Sequence, residues 1–292
     1  MTVPYPHINP VLVRVGPFAL RWYGLMYLVG YVIGYRIMRG RIERGLVSLT
    51  PRDLDALIGY LVVGMLLGAR SMYAIAYEPG HYLADPIEFV RIWHGGLSFH
   101  GALIGMASAA VVFARVRRAP FWPIADTLAL AGTPGLFFGR VGNFINGELY
   151  GRVTTVSWAM VFPADPLHLP RHPSQLYEAI AEGIVLFLVI RMVERRGVVG
   201  GWYRPGTLAA VFLLGYGMLR FLLEFTRQPD AQLGLVLGPF SMGQLFSAGM
   251  VLAGSALLIF ALSRRPRPDD PVIGTRSQAL TGPPPPEGPP GG

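Results

Sequence analysis

Seven apolar runs dominate the chain, and each is close to the roughly 20 residues that an α-helix needs to cross a bilayer. Backbone polar groups in lipid must be satisfied within the protein, so only helices and closed barrels span membranes, and runs of this length are typical of helices. The sequence therefore predicts an all-α, polytopic membrane protein with about seven transmembrane helices. The runs cover residues 18–38, 54–77, 97–115, 121–138, 174–193, 206–226 and 240–262.

The charges in the loops give these helices a direction. Clusters of Arg follow the first, third, fifth and seventh runs, whereas the loop after the second run carries Glu78, Asp85 and Glu88. Because basic loops stay on the cytoplasmic side, we predict that the N-terminus lies outside and the C-terminus lies in the cytoplasm.

Composition agrees with a membrane chain and excludes several kinds of site. Charged residues make up 14% of the chain, whereas soluble domains contain about 25%. The chain has no Cys, which excludes disulfides, Cys-ligated metals and a cysteine nucleophile. The net charge is +8, but the basic residues lie in short loops between the predicted helices, without the interleaved aromatic residues of a nucleic-acid-binding surface. We therefore predict no nucleic-acid partner.

Two segments fall outside the apolar runs. The connection over about residues 139–173 is long for two neighbouring helices, and the alternation of loops places it outside the membrane. The segment 266–292 is rich in Pro and Gly and cannot bury a core. We therefore predict a transmembrane domain over residues 1–265 and a disordered cytoplasmic tail over 266–292.

Polar side chains from several predicted helices fall at one depth, near the outer surface of the membrane. Ionisable groups within membrane segments are costly and usually functional. Their shared depth predicts a site for a phospholipid headgroup. The side chains are those of Tyr23, Arg70, His100, Arg140, Arg220, Glu224 and Arg227.

Each of these residues also has a structural interpretation when it is taken alone. Arg70 and Arg227 can extend their side chains to the membrane surface. Arg220 and Glu224 have the i,i+4 spacing of an ion pair within one helix. Tyr23 is typical of an interfacial aromatic belt. The shared depth, rather than any single residue, favours the functional interpretation.

Five polar blocks of the sequence lie at residues 21–27, 95–101, 139–151, 171–178 and 220–230. In content and in order, they resemble the blocks of the bacterial prolipoprotein diacylglyceryl transferase family. The resemblance implies transfer of diacylglycerol from phosphatidylglycerol to the thiol of a lipobox cysteine in a prolipoprotein signal peptide, which releases glycerol phosphate. It implies a bacterial inner-membrane enzyme with no metal and no cofactor.

This reaction requires a thiolate and stabilisation of the charge on the departing phosphate. A thiol has a pKa of about 8.5, so a base is needed, and His100 is the candidate. Arg140 and Arg220 are predicted to bind the phosphate and to neutralise the leaving group. Tyr23 is predicted to orient the thiol or the headgroup by hydrogen bonding.

The remaining predicted residues bind or shape the substrate site. An amide and carboxylate set is expected to hold the glycerol hydroxyls, Glu224 is expected to fix Arg220, and Gly151 is expected to permit a close turn. Arg70 and Arg227 are further candidates for contact with the phosphate. The amide and carboxylate set consists of Asn143, Asn146 and Glu148.

Two other functions use the same residues. A transporter or channel for an anionic lipid or solute would use buried Arg along a pathway, but such a pathway places polar residues through the full membrane depth. A related transferase that acts on another headgroup or acceptor is the second alternative. Only the five family blocks argue against it.

Overall fold

The computed structural model describes residues 2–6, 8–16, 18–228, 235–237 and 240–265, and it describes positions 99, 100 and 235–237 by their backbone alone. The predicted tail over 266–292 lies outside these residues. The described chain is mostly helical, as predicted. Its helices are α1 (Trp22–Glu43), α2 (Pro51–Ala76), α3 (Pro79–Ala84), α4 (Phe99–Val116), α5 (Phe121–Asn146), α6 (Ser174–Glu178), α7 (Leu186–Val199), α8 (Thr207–Leu223) and α9 (Met242–Ser263).

Each predicted apolar run overlaps one long helical segment, but the first and last runs begin in short strands, at residues 18–21 and 240–241. Helices α6 and α7 form a single segment, because a π-helical turn over Ala179–Val185 joins them. By length and composition alone, α2 and α9 are the described helices long and apolar enough to cross a membrane, and α8 is a shorter apolar helix. The count of seven spans and the orientation of the termini stay predictions.

Local signals in the sequence set the first residues of two of these helices. Thr50 caps α2, because its hydroxyl accepts from the Asp53 amide while the Asp53 carboxylate accepts from the Thr50 amide. Pro51 follows at the first helical position, where its missing N–H costs nothing. Ser241 and Gln244 form the same reciprocal cap at the start of α9.

Three small antiparallel hairpins accompany the helices, and the all-α prediction did not include them. Strands of two to five residues are too short to show a period in the sequence. In the first hairpin almost every residue is exposed, so no alternation of apolar and polar residues marks it. The pairs are β1 (Val11–Val15) with β2 (Phe18–Arg21), β3 (Met160–Val161) with β4 (Pro170–Arg171), and β5 (Leu235–Leu237) with β6 (Phe240–Ser241).

The chain divides into two compact units, residues 39–125 and residues 1–38 with 126–292. In the unit of residues 39–125, α2 and α4 pack through facing glycines. A β-carbon on Gly105 would lie 2.0 Å from the Gly64 carbonyl oxygen, and one on Gly68 would lie 2.3 Å from that of Gly101. Only glycine permits this backbone approach, which is a common way for helices to associate in membranes.

In the other unit, Asp126 ties the start of α5 to the start of α8. Its fully buried carboxylate accepts hydrogen bonds from the Tyr203 hydroxyl at 2.5 Å and from the amides of Gly206 and Ala209 at 2.8 Å. It therefore satisfies two otherwise unpaired amides at the N-terminus of α8. An apolar cluster packs beside it, consisting of Leu130, Leu186, Ile190, Tyr203 and Leu208.

Helix α5 extends through Asn146, so the predicted loop over about 139–173 begins later than predicted, at Gly147. Glycines inside the run did not break the helix, because packing decides their conformation. A β-carbon on Gly142 would lie 2.9 Å from the Tyr23 ring, so this glycine lets α1 approach. Gly147 ends the helix with a φ of +69°, a conformation typical of glycine after a helix C-terminus.

Candidate active site

Three arginines from different parts of the chain converge on the carboxylate of Glu178. Its Oε2 atom lies 2.8 Å from Arg140 Nε, 3.2 Å from Arg220 Nη1 and 3.6 Å from Arg227 Nη1. Arg140 lies in α5, Arg220 in the last turn of α8, and Arg227 in the turn that follows α8. We call Arg140, Arg220 and Arg227 the arginine triad.

The triad is more exposed than its counterion. The side chains of Arg140, Arg220 and Arg227 are 19%, 14% and 13% exposed, whereas the side chain of Glu178 is 1% exposed. The carboxylate therefore lies on the buried side of the three guanidinium groups. Three cations with accessible faces form a site for an anion, and guanidinium groups suit phosphate oxygens in particular.

Two further carboxylates lie beside Arg220. Glu224 Oε2 is 2.9 Å from Arg220 Nη2, and Glu224 Oε1 accepts a hydrogen bond from the Ser241 hydroxyl at 2.8 Å. Glu182 is fully buried, and its Oε1 lies 4.0 Å from Arg220 Nη1. Neither oxygen of Glu182 has a hydrogen-bond partner among the residues that the structure describes.

The predicted amide and carboxylate set forms one cluster at the end of α5. The side-chain amides of Asn143 and Asn146 donate to the same oxygen of Glu148, at 2.9 and 3.2 Å. The Gln175 side chain donates to the Glu148 carbonyl at 2.6 Å, which links this cluster to α6. The cluster therefore offers both hydrogen-bond donors and acceptors, as binding of hydroxyl groups requires.

Tyr23 stands at the start of α1, against the same stretch of α5. Its ring rests on Gly142, and its hydroxyl lies 3.0 Å from the hydroxyl of Tyr27, one turn further along α1. Tyr23, the amide and carboxylate cluster and the arginine triad all belong to the unit of residues 1–38 and 126–292.

The segment from Gly147 to the start of α6 docks on the end of α8 through Gly151. The Gly151 amide donates to the His172 carbonyl, and the next amide, of Arg152, donates to the Thr226 carbonyl, both at 2.9 Å. A β-carbon on Gly151 would lie 2.4 Å from that Thr226 oxygen. Gly151 thus permits a close backbone approach beside Arg227, and its φ is not positive.

The same segment is closed by an ion pair that the sequence analysis missed. Arg171 donates to both oxygens of the buried Asp165, at 2.6 and 2.9 Å, and its guanidinium lies 4.8 Å from the centre of the Tyr150 ring. The hydrogen bonds from Arg171, together with those from the amides of Leu167 and Leu169, lower the pKa of Asp165 from its usual 3.8 to about 2.

Comparison with known proteins decides the family. The family model described as prolipoprotein diacylglyceryl transferase matches residues 10–260. This chain belongs to the prolipoprotein diacylglyceryl transferase family. It is a family of membrane proteins, in agreement with the apolar helices.

The match extends over nearly the whole length of curated relatives named phosphatidylglycerol–prolipoprotein diacylglyceryl transferase. The protein of Bordetella bronchiseptica is 50% identical over 262 residues, which are 88% of this chain and 96% of the relative. The protein of Geobacter sulfurreducens is 47% identical over 265 residues, 90% of this chain and 99% of the relative. That of Rhodospirillum rubrum is 46% identical over 269 residues, 91% of this chain and 96% of the relative.

Two residues predicted for the site of this diacylglyceryl transferase, Arg70 and His100, belong to the unit of residues 39–125. Ser98 caps α4, Phe99 is its first residue and His100 is its second. The side chain of His100 lies outside the described part of the structure. Its predicted role as base stays a prediction.

Arg70 is 2% exposed, and all five of its N–H groups are accounted for by backbone carbonyl oxygens. A phosphate that bound Arg70 would have to displace one of these acceptors. Glu88 lies beside this arginine, and hydrogen bonds from His94 and Arg91 keep the pKa of its carboxyl below the usual range. The acceptors of Arg70 are the carbonyl oxygens of Glu88, Phe89, Arg91, Gly95 and Gly96.

The residue that joins the arginine triad, Glu178, was not among the predicted site residues. The sequence did contain a signal for Glu178. It is an acidic residue within an apolar run, as is Glu182 four residues later, and Arg220 was selected because it is a charged residue in such a run. In the part of the chain that the structure describes, no three His, Asp or Glu residues are grouped so as to hold a metal ion.

Proposed function

We propose that this protein transfers the diacylglyceryl group of phosphatidylglycerol to the thiol of the lipobox cysteine of prolipoproteins. Family membership and the names of the relatives support the reaction type and the two substrates. The observation that carries the proposal is the arginine triad around Glu178, since a phosphodiester is the anionic part of phosphatidylglycerol.

The reaction forms one C–S bond and breaks one C–O bond. The thiolate sulfur attacks the carbon of the diacylglyceryl group that carries the phosphate. The electron pair of the broken C–O bond leaves with the phosphate oxygen. The proton of the thiol passes to the base and then to the released glycerol phosphate. The products are a thioether-linked prolipoprotein and glycerol phosphate, and no cofactor enters the balance.

In this proposal the arginine triad binds the phosphate and stabilises the charge that develops on the leaving oxygen. Such preorganised donors act strongly because the surrounding dielectric is low. Asn143, Asn146 and Glu148 bind the two hydroxyl groups of the glycerol headgroup, and this would favour phosphatidylglycerol over lipids with other headgroups. The distances within that cluster support the assignment.

Tyr23 and His100 complete the proposed machinery. The Tyr23 hydroxyl lies beside the end of α5, a position that supports a role in orienting the thiol or the headgroup. His100 is proposed as the base, because imidazole titrates closest to neutral pH among the side chains available in a chain without Cys. Glu224 supports the proposed site through its contact with Arg220.

The proposed location is the bacterial inner membrane, with multiple spans, the N-terminus outside and the C-terminus in the cytoplasm. The alternating charge of the loops supports this orientation. The proposed site then opens at the outer leaflet, where phosphatidylglycerol and a signal peptide can both reach it. We propose no nucleic-acid partner and no metal.

A transfer assay tests the function directly. Purified protein in detergent is mixed with phosphatidylglycerol and a lipobox peptide that carries one Cys, and the peptide mass is measured. We expect a gain of one diacylglyceryl group, with none on the matching peptide in which Ser replaces the Cys. The absence of any gain from folded protein would refute the proposed function.

A further inference from the structure

We infer that Glu178 is the positioning residue of the phosphate site: one buried carboxylate gathers three arginines, from α5, from α8 and from the turn after α8, into a single anion-binding surface. The inference rests on the proposed function and deepens it, because it assigns the residue that builds the site rather than one that touches the substrate. Neither the family comparison nor the sequence motifs assign this role.

Electrostatic repulsion opposes the convergence of the triad. Three guanidinium groups near one point repel one another, and each is permanently charged. A single oxygen of Glu178 lies within 3.6 Å of all three, so one negative charge offsets three repulsions. Among the described residues, Glu178 is the only acid within 4.0 Å of Arg140.

The contact between Glu178 and Arg220 is one of charge rather than of aligned hydrogen bonds. Glu178 Oε2 and Arg220 Nη1 are 3.2 Å apart, yet neither atom has a partner of hydrogen-bond geometry among the described residues. The carboxylate attracts the guanidinium by charge without aligning with its N–H bonds. A buried donor in this condition is costly, and Glu178 therefore leaves part of the hydrogen-bonding capacity of Arg220 unused.

The helix that carries Glu178 is held on both sides of this residue. In the preceding turn, Ser174 donates to the Leu149 carbonyl at 3.1 Å and Gln175 to the Glu148 carbonyl at 2.6 Å. In the following π-helical turn, a β-carbon on Gly183 would lie 2.5 Å from Phe137 of α5. π-Helical turns are frequent at functional sites. Glu178 is therefore held between the amide and carboxylate cluster and α5.

The chain offers a matched control. Glu182 lies four residues further along the same helical segment and is as deeply buried as Glu178, and Arg220 is the one arginine of the triad within 4.0 Å of it. Glu178→Gln and Glu182→Gln are the same substitution in the same segment. A general effect of replacing a buried carboxyl group would appear in both variants, whereas loss of positioning would appear chiefly in the first.

We expect Glu178→Gln to reduce kcat/KM for transfer about 100-fold, since misplacement of binding groups by about 1 Å has effects of this size. Glu182→Gln should reduce it less than tenfold. Glu178→Asp keeps the charge and should recover at least part of the activity. Binding of glycerol phosphate, measured as the rise in Tm of the purified protein, should be lost in Glu178→Gln and kept in Glu178→Asp.

A double-mutant cycle separates positioning from a general structural role. In an Arg140→Gln background, Glu178→Gln should have a smaller effect on glycerol phosphate binding than in the wild type, because the two residues act through one contact. Additive effects, or equal losses in Glu178→Gln and Glu178→Asp, would overturn the inference. If the wild type transfers nothing to the lipobox peptide, the proposed function fails instead, and the glycerol phosphate measurement still reports on Glu178.

Discussion

Arg70 and the arginine triad show two different ways of burying arginine in one chain. All five N–H groups of Arg70 donate to carbonyl oxygens of residues 88–96, so its donors are used within its own unit. The triad shares one carboxylate on its buried side and keeps 13–19% of each side chain exposed. The acceptors and the exposed fraction of the side chain together therefore separate an arginine that holds a loop from arginines that can bind an anion.

The largest effect should come from removing an arginine of the triad. We expect Arg140→Ala and Arg220→Ala each to reduce transfer at least about 1000-fold, because each loses a charged donor at the leaving phosphate. The protein should still insert in the membrane. The assay is transfer to the lipobox peptide by purified protein. The control is Arg39→Ala, whose exposed side chain pairs only with Glu43 among the described residues. Activity of either triad variant near that of the control would remove that arginine from the proposed machinery.

Arg70→Met should act on stability rather than on chemistry. Removing the guanidinium takes one donor from each of five carbonyl oxygens, of which those of Glu88 and Arg91 also accept from backbone amides, and we expect a loss of about 3 kcal/mol in the free energy of unfolding. Limited proteolysis should show faster cleavage in residues 78–97, while the KM for phosphatidylglycerol of the protein that remains folded should stay unchanged. Arg70→Lys should rescue little, since an ammonium group has three donors and no planar fork. A raised KM with unchanged proteolysis would instead place Arg70 at the substrate, and the comparison would fail.

The pair of Arg171 and Asp165 is an intermediate case, since this arginine is satisfied by a carboxylate. We expect Asp165→Asn to cost about 2 kcal/mol in stability at neutral pH, through the loss of charged hydrogen bonds. Thermal unfolding in detergent measures this cost, and Asp85→Asn, in an exposed and longer ion pair, is the control.

The pH dependence of this pair has a defined sign. Because the pKa of Asp165 is lowered from 3.8 to about 2, its contribution to stability is complete above about pH 4 and is lost as the pH falls through about 2. The difference in Tm between the wild type and Asp165→Asn should therefore shrink over that window. A difference that stays constant from pH 6 to pH 2 would mean that charge is not the stabilising part of the pair.

The smallest effect should come from the cluster beside the triad. Asn143→Ala removes one donor to Glu148 and, in our proposal, one hydrogen bond to a glycerol hydroxyl. We expect the KM for phosphatidylglycerol to rise about tenfold, which corresponds to about 1.4 kcal/mol, with a smaller change in kcat. Assays with phosphatidylglycerol and phosphatidylethanolamine compare the preference for the headgroup. An unchanged preference would show that the cluster does not read the glycerol hydroxyls.

Length and hydropathy were sufficient to predict the helices, because a run of about 20 apolar residues has few alternative structures. They misplaced the end of α5, where packing of Gly142 on Tyr23 keeps a polar, glycine-containing run helical. The three hairpins were missed since their strands carry no period that the sequence displays.

The candidate site was predictable in part, for a physical reason. Charged residues inside apolar runs are visible in the sequence, and Arg140 and Arg220 were predicted in this way. Glu178 carries the same signal, but its convergence with the three arginines depends on the fold and is not visible in the sequence. The environment of Arg70 was not predictable, since its acceptors are backbone carbonyl oxygens, which every residue possesses.

The glycine faces of α2 and α4 limit how this part of the chain can evolve. Every missense change of a glycine codon adds at least a β-carbon, and at Gly64, Gly68, Gly101 and Gly105 the nearest atoms would lie 2.0–2.5 Å away. Any single mutation at these four positions therefore forces α2 and α4 apart and disturbs the whole contact face. The pair is expected to diverge by changes on its outer faces while its contact face stays fixed.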